Sequence, residues 1–211
     1  MELINKLIGK NQGGINKGNV FNKAEKRFSL SIAKENLIDF ISVLNKLNIV
    51  YWLHHGTLLG CVRDDDFIKY DSDIDIGCLS SQYKVLASAI KELEDIGFEL
   101  IRVLENNGVV TIIRKKVSID IDLYDGPENG IYTAVYDHTM LMETDLNLIK
   151  RDFLGFEVNI LSNYEKLLSE WYGDDWRTPQ KGISGDPNSK TYKGCRFPKR
   201  FEIKTTISKG H

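Results

Sequence analysis

Apolar residues between 23 and 48 recur at helical spacing. Leu30, Ala33, Leu37, Phe40, Ile41, Leu44 and Leu47 fall on one stripe and predict a helix facing a core. A continuous apolar run over 49–53 follows and predicts a strand that ends at His54-His55-Gly56, with a new helix opening at Thr57. Around Asp73-Ile74-Asp75-Ile76 the period drops to two, which predicts a strand with its acids on one face and its isoleucines on the other. Ser80 or Ser81 caps the next expected helix, which runs to about Ile96 with Val85, Leu86, Ala89, Ile90 and Leu93 buried and Gly97 as its stop. Three β-rich runs, 98–104, 109–114 and 117–124, are separated by a turn at 105–108 and by Lys115-Lys116, and are expected as antiparallel partners of the Asp73 strand. A turn cluster fills 125–130, and Ser162-Asn-Tyr-Glu165 has the form of a capping box opening a helix that ends near Gly173. The ends are poorer in apolar residues. Residues 1–22 predict a short amphipathic helix and connector, 23–177 a core domain, and 178–211 a loop or lid rich in Gly, Pro, Ser, Lys and Asn.

The pairing of Asp73 with Asp75 is unfavourable unless something positive sits between them, because neighbouring carboxylates raise each other's pKa. Mg²⁺ or Mn²⁺ supplies that charge, since hard cations take carboxylate oxygens and neutralise a transferring phosphoryl group. A further acid is expected from a neighbouring strand. In the run 117–124, Ser118, Asp120, Asp122 and Tyr124 share one face, so either Asp120 or Asp122 can complete the site. Gly56 permits close backbone approach to a ligand, and a helix starting at Thr57 aims N–H groups at an anion such as phosphate. Arg63 lies within two helical turns and can pair with phosphate or with an acid.

The sequence Gly56-Thr-Leu-Leu-Gly60-x-x-Arg63, followed by Phe67-Ile-x-Tyr-Asp71-x-Asp73-Ile-Asp75-Ile-Gly77, resembles the core of the LicD and fukutin-related family. Ile121-Asp-Leu-Tyr124 resembles that family's later apolar-Asp-apolar-aromatic strand, and 153–160, 163–168 and 172–176 its closing strand and helix. The resemblance covers roughly 37–179. It implies an α+β fold, a nucleotidyltransferase-like mixed sheet flanked by helices with a small C-terminal helical or loop segment, occupying 23–177. It also implies transfer of a phospho-alcohol, such as phosphocholine, ribitol phosphate or glycerol phosphate, from a CDP-linked donor to a sugar hydroxyl of a glycan or its precursor. By position, Asp73, Asp75 and Asp122 inherit the metal, Gly56 and Thr57 the donor phosphates, Arg63 a supporting part and Asp71 an orienting one. The chain departs from the family pattern at Lys69-Tyr70, where Pro-Trp is usual, at Cys61, where Ala is common, and after Asp122, where an aromatic-proline pair is missing. Those positions bear on acceptor and alcohol rather than on the metal.

A chain of 211 residues with 42% hydrophobic content buries one sizeable core. With net charge −2 it has no global basic field for polymeric nucleic acid. The absence of an apolar run long enough to span a bilayer, or of a secretory leader, leads to the expectation of a cytoplasmic protein without a transmembrane segment. Cys61, Cys78 and Cys195 lack CxxC spacing and fit reduced thiols, and the four histidines lack zinc-site spacing. His54 and His55 are expected to point opposite ways, one packed and one toward the cleft. Asp120, Asp71 and His55 are all candidates for the base. Two alternatives accompany the phospho-alcohol reading: nucleotidyl transfer from an NTP to a small molecule, and a non-catalytic nucleotide-binding module.

Overall fold

The computed structural model describes residues 29–69, 71–104, 108–135 and 141–179. The helix expected over 1–22 and nearly all of the segment expected over 178–211 lie outside those residues. Helix α1 (Leu30–Lys46) buries Ala33, Leu37, Phe40, Ile41 and Leu44, the stripe that the spacing predicted. It also buries Asn36, a polar residue on the same side. Asn36 accepts from Arg114 Nε at 2.8 Å and donates to the Arg114 carbonyl at 2.9 Å, so α1 is fastened to the sheet by a fully satisfied polar pair.

Strand β1 (Tyr51–Leu53) is wholly buried and leads into helix α2 (His55–Arg63). Strand β2 (Asp73–Leu79) follows, then a short 3₁₀ turn (Ser80–Gln82) and helix α3 (Tyr83–Asp95). Neither serine caps α3. Its N-cap is Gln82, and Ser80 instead hydrogen-bonds Asp125. Strands β3 (Glu99–Leu104), β4 (Val109–Arg114) and β5 (Val117–Glu128) form an antiparallel meander, the last two joined at Lys115-Lys116 with both residues at positive φ. Strands β6 (Ile131–Ala134) and β7 (Leu141–Glu143) extend the sheet from the far end of β5.

The sheet order is β1-β2-β5-β4-β3, and it is mixed. The expectation that the Asp73 strand would have antiparallel partners among β3 to β5 is corrected here, since β2 and β5 run parallel. The chain leaves β2, crosses through α3 and the β3–β4 hairpin, and therefore re-enters the sheet in its original direction. One sheet face, built from Ile74, Ile76, Cys78, Val110, Ile112, Ile119, Ile121 and Leu123, is buried in the main core. The opposite face carries the acids.

Strands β8 (Leu148–Phe153) and β9 (Phe156–Leu161) make a separate hairpin against β1, followed by helix α4 (Tyr164–Tyr172). The capping box expected at Ser162 does not form. The N-cap of α4 is Asn163, whose side chain accepts from Thr144, and Glu165 pairs with Arg177 rather than reaching back. The stop at Gly173 is as expected, with φ of 91°. No helix among the described residues is long and apolar enough to cross a membrane.

Candidate active site

Pairing between β2 and β5 is residue for residue, with Asp73 opposite Ser118, Asp75 opposite Asp120 and Gly77 opposite Asp122. Matching parity keeps all four acids on one face. Asp71, just before β2, joins them, and Asp71, Asp73 and Asp75 each offer a carboxylate oxygen within 4.8 Å of the others. Asp71 is thus part of the acidic trio itself.

The turn into α2 presses against this trio. Gly56 N–H donates to Asp75 Oδ2 at 3.1 Å, and Thr57 Oγ1 accepts from the Asp75 N–H at 2.8 Å, so both the side chain and the backbone of Asp75 are held by the Gly-Thr pair. A Cβ on residue 56 would overlap Asp71 Oδ2 and stand 3.3 Å from Asp75 Oδ2. Glycine lets the carboxylates come up against the backbone there, and any larger residue would displace Asp71. His55, the first residue of α2, takes φ of 37°, which turns the chain from β1 toward the acids.

Burial and mutual repulsion push Asp71, Asp75 and Asp122 toward their neutral forms. Asp71 rises to about 7, through burial and the neighbouring Asp73. Asp122 also rises to about 7, through burial and then Asp120 and Asp73. Asp75 is pushed well up by burial and by Asp73, Asp71, Asp122 and Asp120. Oxygen ligands massed at this density, with Asp71, Asp75 and Asp122 destabilised as anions, are the donor set that a hard divalent cation satisfies. The residues present fit such an ion.

A residue model for the LicD/FKTN/FKRP nucleotidyltransferase domain matches residues 48–166, which include the acids, the Gly-Thr turn and the β2–β5 pair. The chain belongs to the LicD family. It is 26% identical over 145 residues to the ribitol 5-phosphate transferase FKRP of Homo sapiens, 38% identical over 68 residues to the human ribitol-5-phosphate transferase FKTN, and 34% identical over 98 residues to an uncharacterised protein of Rickettsia prowazekii. Those matches take in 63%, 32% and 46% of this chain, but only 29%, 14% and 35% of the relatives' lengths. Among solved structures, a lincomycin-bound lincosamide antibiotic adenylyltransferase, LnuA, aligns over 68% of this chain and 92% of that one, at 16% identity and a TM-score of 0.49.

In this LicD domain the acids converge, whereas Arg63 lies at the far end of α2. It makes a two-pronged pair with Asp64 at 2.8 and 2.6 Å. Sequence reasoning overlooked Arg102. It stands on β3 at the end of a cross-strand row, Asp75–Asp120–Thr111–Arg102, and reaches back to Thr111 Oγ1 at 3.0 Å and Asp120 Oδ2 at 3.3 Å. An arginine in an ordinary alternating strand carries no local signal, because only sheet order places it beside the acids.

The surroundings of Asp122 were overlooked as well. His54 is fully buried and His55 partly buried, and their Nε2 atoms lie 3.9 and 3.8 Å from Asp122 Oδ2. Burial lowers both imidazoles, His55 down to about 4 and His54 well below the ordinary histidine value, with the neighbouring His55 adding to the effect there. Trp171 of α4 packs edge-to-face against His54 and at a tilt against His55, with centroids 4.8 and 4.9 Å away. His54 is the packed member of the expected pair, but the two rings lie with centroids 3.9 Å apart rather than pointing opposite ways.

Proposed function

We propose that this domain is a metal-dependent phosphotransferase that moves a phospho-alcohol from a CDP-linked donor to a sugar hydroxyl on the cytoplasmic side of the cell. The observation that carries this reading is the cluster of Asp71, Asp73 and Asp75 around the Gly56 backbone, backed by Asp122 and Asp120 on the adjoining strand. Mg²⁺ or Mn²⁺ bound there, with Asp73, Asp75 and Asp122 as its expected ligands and Asp71 now beside them, would neutralise the donor's diphosphate.

The protein's own groups do the positioning. Gly56 and Thr57 hold Asp75 rigid, while Arg102 orients Asp120 from the exposed end of the row. The acceptor hydroxyl forms its new O–P bond at the β-phosphorus as the bridge to the α-phosphate breaks and CMP departs. In this reading Asp120 takes the hydroxyl proton, a role supported by its pairing beside Asp75 across β2–β5 and by the Arg102 guanidinium on its carboxylate. Positioning and electrostatics account for most of the barrier lowering in such a step.

Incubating the protein with a panel of CDP-alcohols, an acceptor sugar and Mg²⁺ or Mn²⁺ tests the proposal through CMP release. Release of pyrophosphate from an NTP instead would establish nucleotidyl transfer. Nucleotide binding without any product would establish a non-catalytic module.

A further inference from the structure

Behind Asp122, three ligand atoms from His54, His55 and Asp122 lie within 4.8 Å of one another, and by distance alone they would make a second, nitrogen-rich metal site. The hydrogen bonds argue otherwise. Trp52 Nε1 is 3.3 Å from His54 Nδ1, and an indole N–H can only donate. His54 Nδ1 must therefore be the bare, accepting nitrogen. In a neutral imidazole the single proton then sits on Nε2, where it is donated to the Tyr124 hydroxyl at 2.8 Å. Trp52 cannot swing away cheaply, since its indole is fully buried and packs against Gly77, where any Cβ would collide with it.

We propose that Trp52 locks His54 as the Nε2–H tautomer and thereby determines metal specificity. A protonated Nε2 has no lone pair for a cation, so the trio is left with two ligands, His55 and Asp122, fewer than a zinc-type site requires. An azaphilic ion such as Zn²⁺ finds no site there, and a hard cation is left with the carboxylate oxygens of Asp71, Asp73 and Asp75, with Asp122 on the adjoining strand. His54 acts as a positioning residue, its N–H fixing Tyr124 beside Asp122. The inference deepens the reading of the cleft as a Mg²⁺ or Mn²⁺ site, yet its test does not depend on turnover.

Long-range ¹H–¹⁵N spectra of uniformly labelled protein, with His54 assigned through His54→Gln, distinguish a bare ring nitrogen from a protonated one. The expected result is a protonated Nε2 and a bare Nδ1, unchanged when excess Zn²⁺ is added. A bare Nε2, or a Zn²⁺-dependent shift of His54, would overturn the proposal. In Trp52→Phe, which keeps an aromatic ring and loses the N–H, His54 should sample both tautomers and Zn²⁺ should bind at least tenfold more tightly than to wild type. A folded Trp52→Phe protein with the same tautomer and the same Zn²⁺ affinity would refute the role of Trp52. If that variant does not fold, the benzothienyl analogue of Trp52, with sulfur in place of N–H and the same outline, is held to the same two outcomes. Mn²⁺ binding to the carboxylates is measured separately, so a locked tautomer without Mn²⁺ binding would sink the proposed function and leave this inference standing.

Discussion

Gly56→Ala separates the demands of the metal site from those of the fold. The added methyl would overlap Asp71 Oδ2 and press on Asp75 Oδ2 at 3.3 Å. Asp71 has to back away by roughly 1 Å to restore ordinary contact, and it can do so by rotating a short side chain at the edge of the cleft. Residue 56 lies in the first turn of α2, where alanine is favoured over glycine by up to about 1 kcal/mol. The two effects nearly cancel in stability. The apo variant should therefore melt within about 4 °C of wild type, on the scale of ~2–4 °C per kcal/mol for a chain of this size. Metal binding has no such compensation. Spreading one carboxylate out of a trio whose oxygens lie within 4.8 Å removes a ligand, and even groups that merely orient ligands are worth ~10–100-fold in affinity. Titration with Mn²⁺ followed by electron paramagnetic resonance, alongside a thermal melt in EDTA, reads both halves. An apo melt like wild type together with Mn²⁺ affinity within twofold of wild type would show that the trio does not hold the metal.

Other outcomes follow from the same electrostatics. The apo protein should lose stability as pH rises from 6.5 to 8. Asp71 and Asp122 have folded pKa values near 7, above their unfolded values, so the stability from their neutral forms is complete below about pH 4 and vanishes as pH passes 7. The loss from these two groups is roughly 2 kcal/mol. The window starts at 6.5 because His54 and His55, with lowered pKa values, act in the opposite sense below it. Urea unfolding in EDTA at the two pH values checks this, excess Mn²⁺ at pH 8 should reverse the loss, and a flat profile would contradict the repulsion. Asp75→Asn keeps an acceptor for the Gly56 N–H and removes the most crowded charge, so it should raise apo stability at pH 8 by about 1–3 kcal/mol while abolishing turnover; retained turnover would exclude Asp75 as a ligand. Arg102→Met should change stability by less than about 1 kcal/mol, because the pair is partly exposed, yet lower turnover at least tenfold by freeing Asp120; unchanged turnover would remove Arg102 from the site. Gly77→Ala should cost about 1–3 kcal/mol or more by driving a methyl into the Trp52 indole, measured by urea unfolding.

Local pattern alone determined several features of this chain. The period of two in Asp73-Ile-Asp-Ile and in 117–124 made two strands with segregated acids, and the 3.6-residue stripe made α1, because side-chain direction follows from backbone geometry within a few residues. The spacing of glycine, threonine and three aspartates carried the family. What stayed hidden depends on which strand lies beside which. The parallel pairing of β2 with β5 sets Asp75 against Asp120 and Asp122 against Gly77, and no local pattern encodes the direction in which a chain returns to a sheet. The same holds for Arg102, which meets Asp120 only because β4 lies between their strands, and for Trp52, His54 and Tyr124, which share hydrogen bonds across a gap of 70 residues. Gly56 was legible as a close approach, but not what approaches it. Only the packed structure shows that its N–H is already given to Asp75, since a backbone donor bonds to whatever acceptor the fold brings within reach.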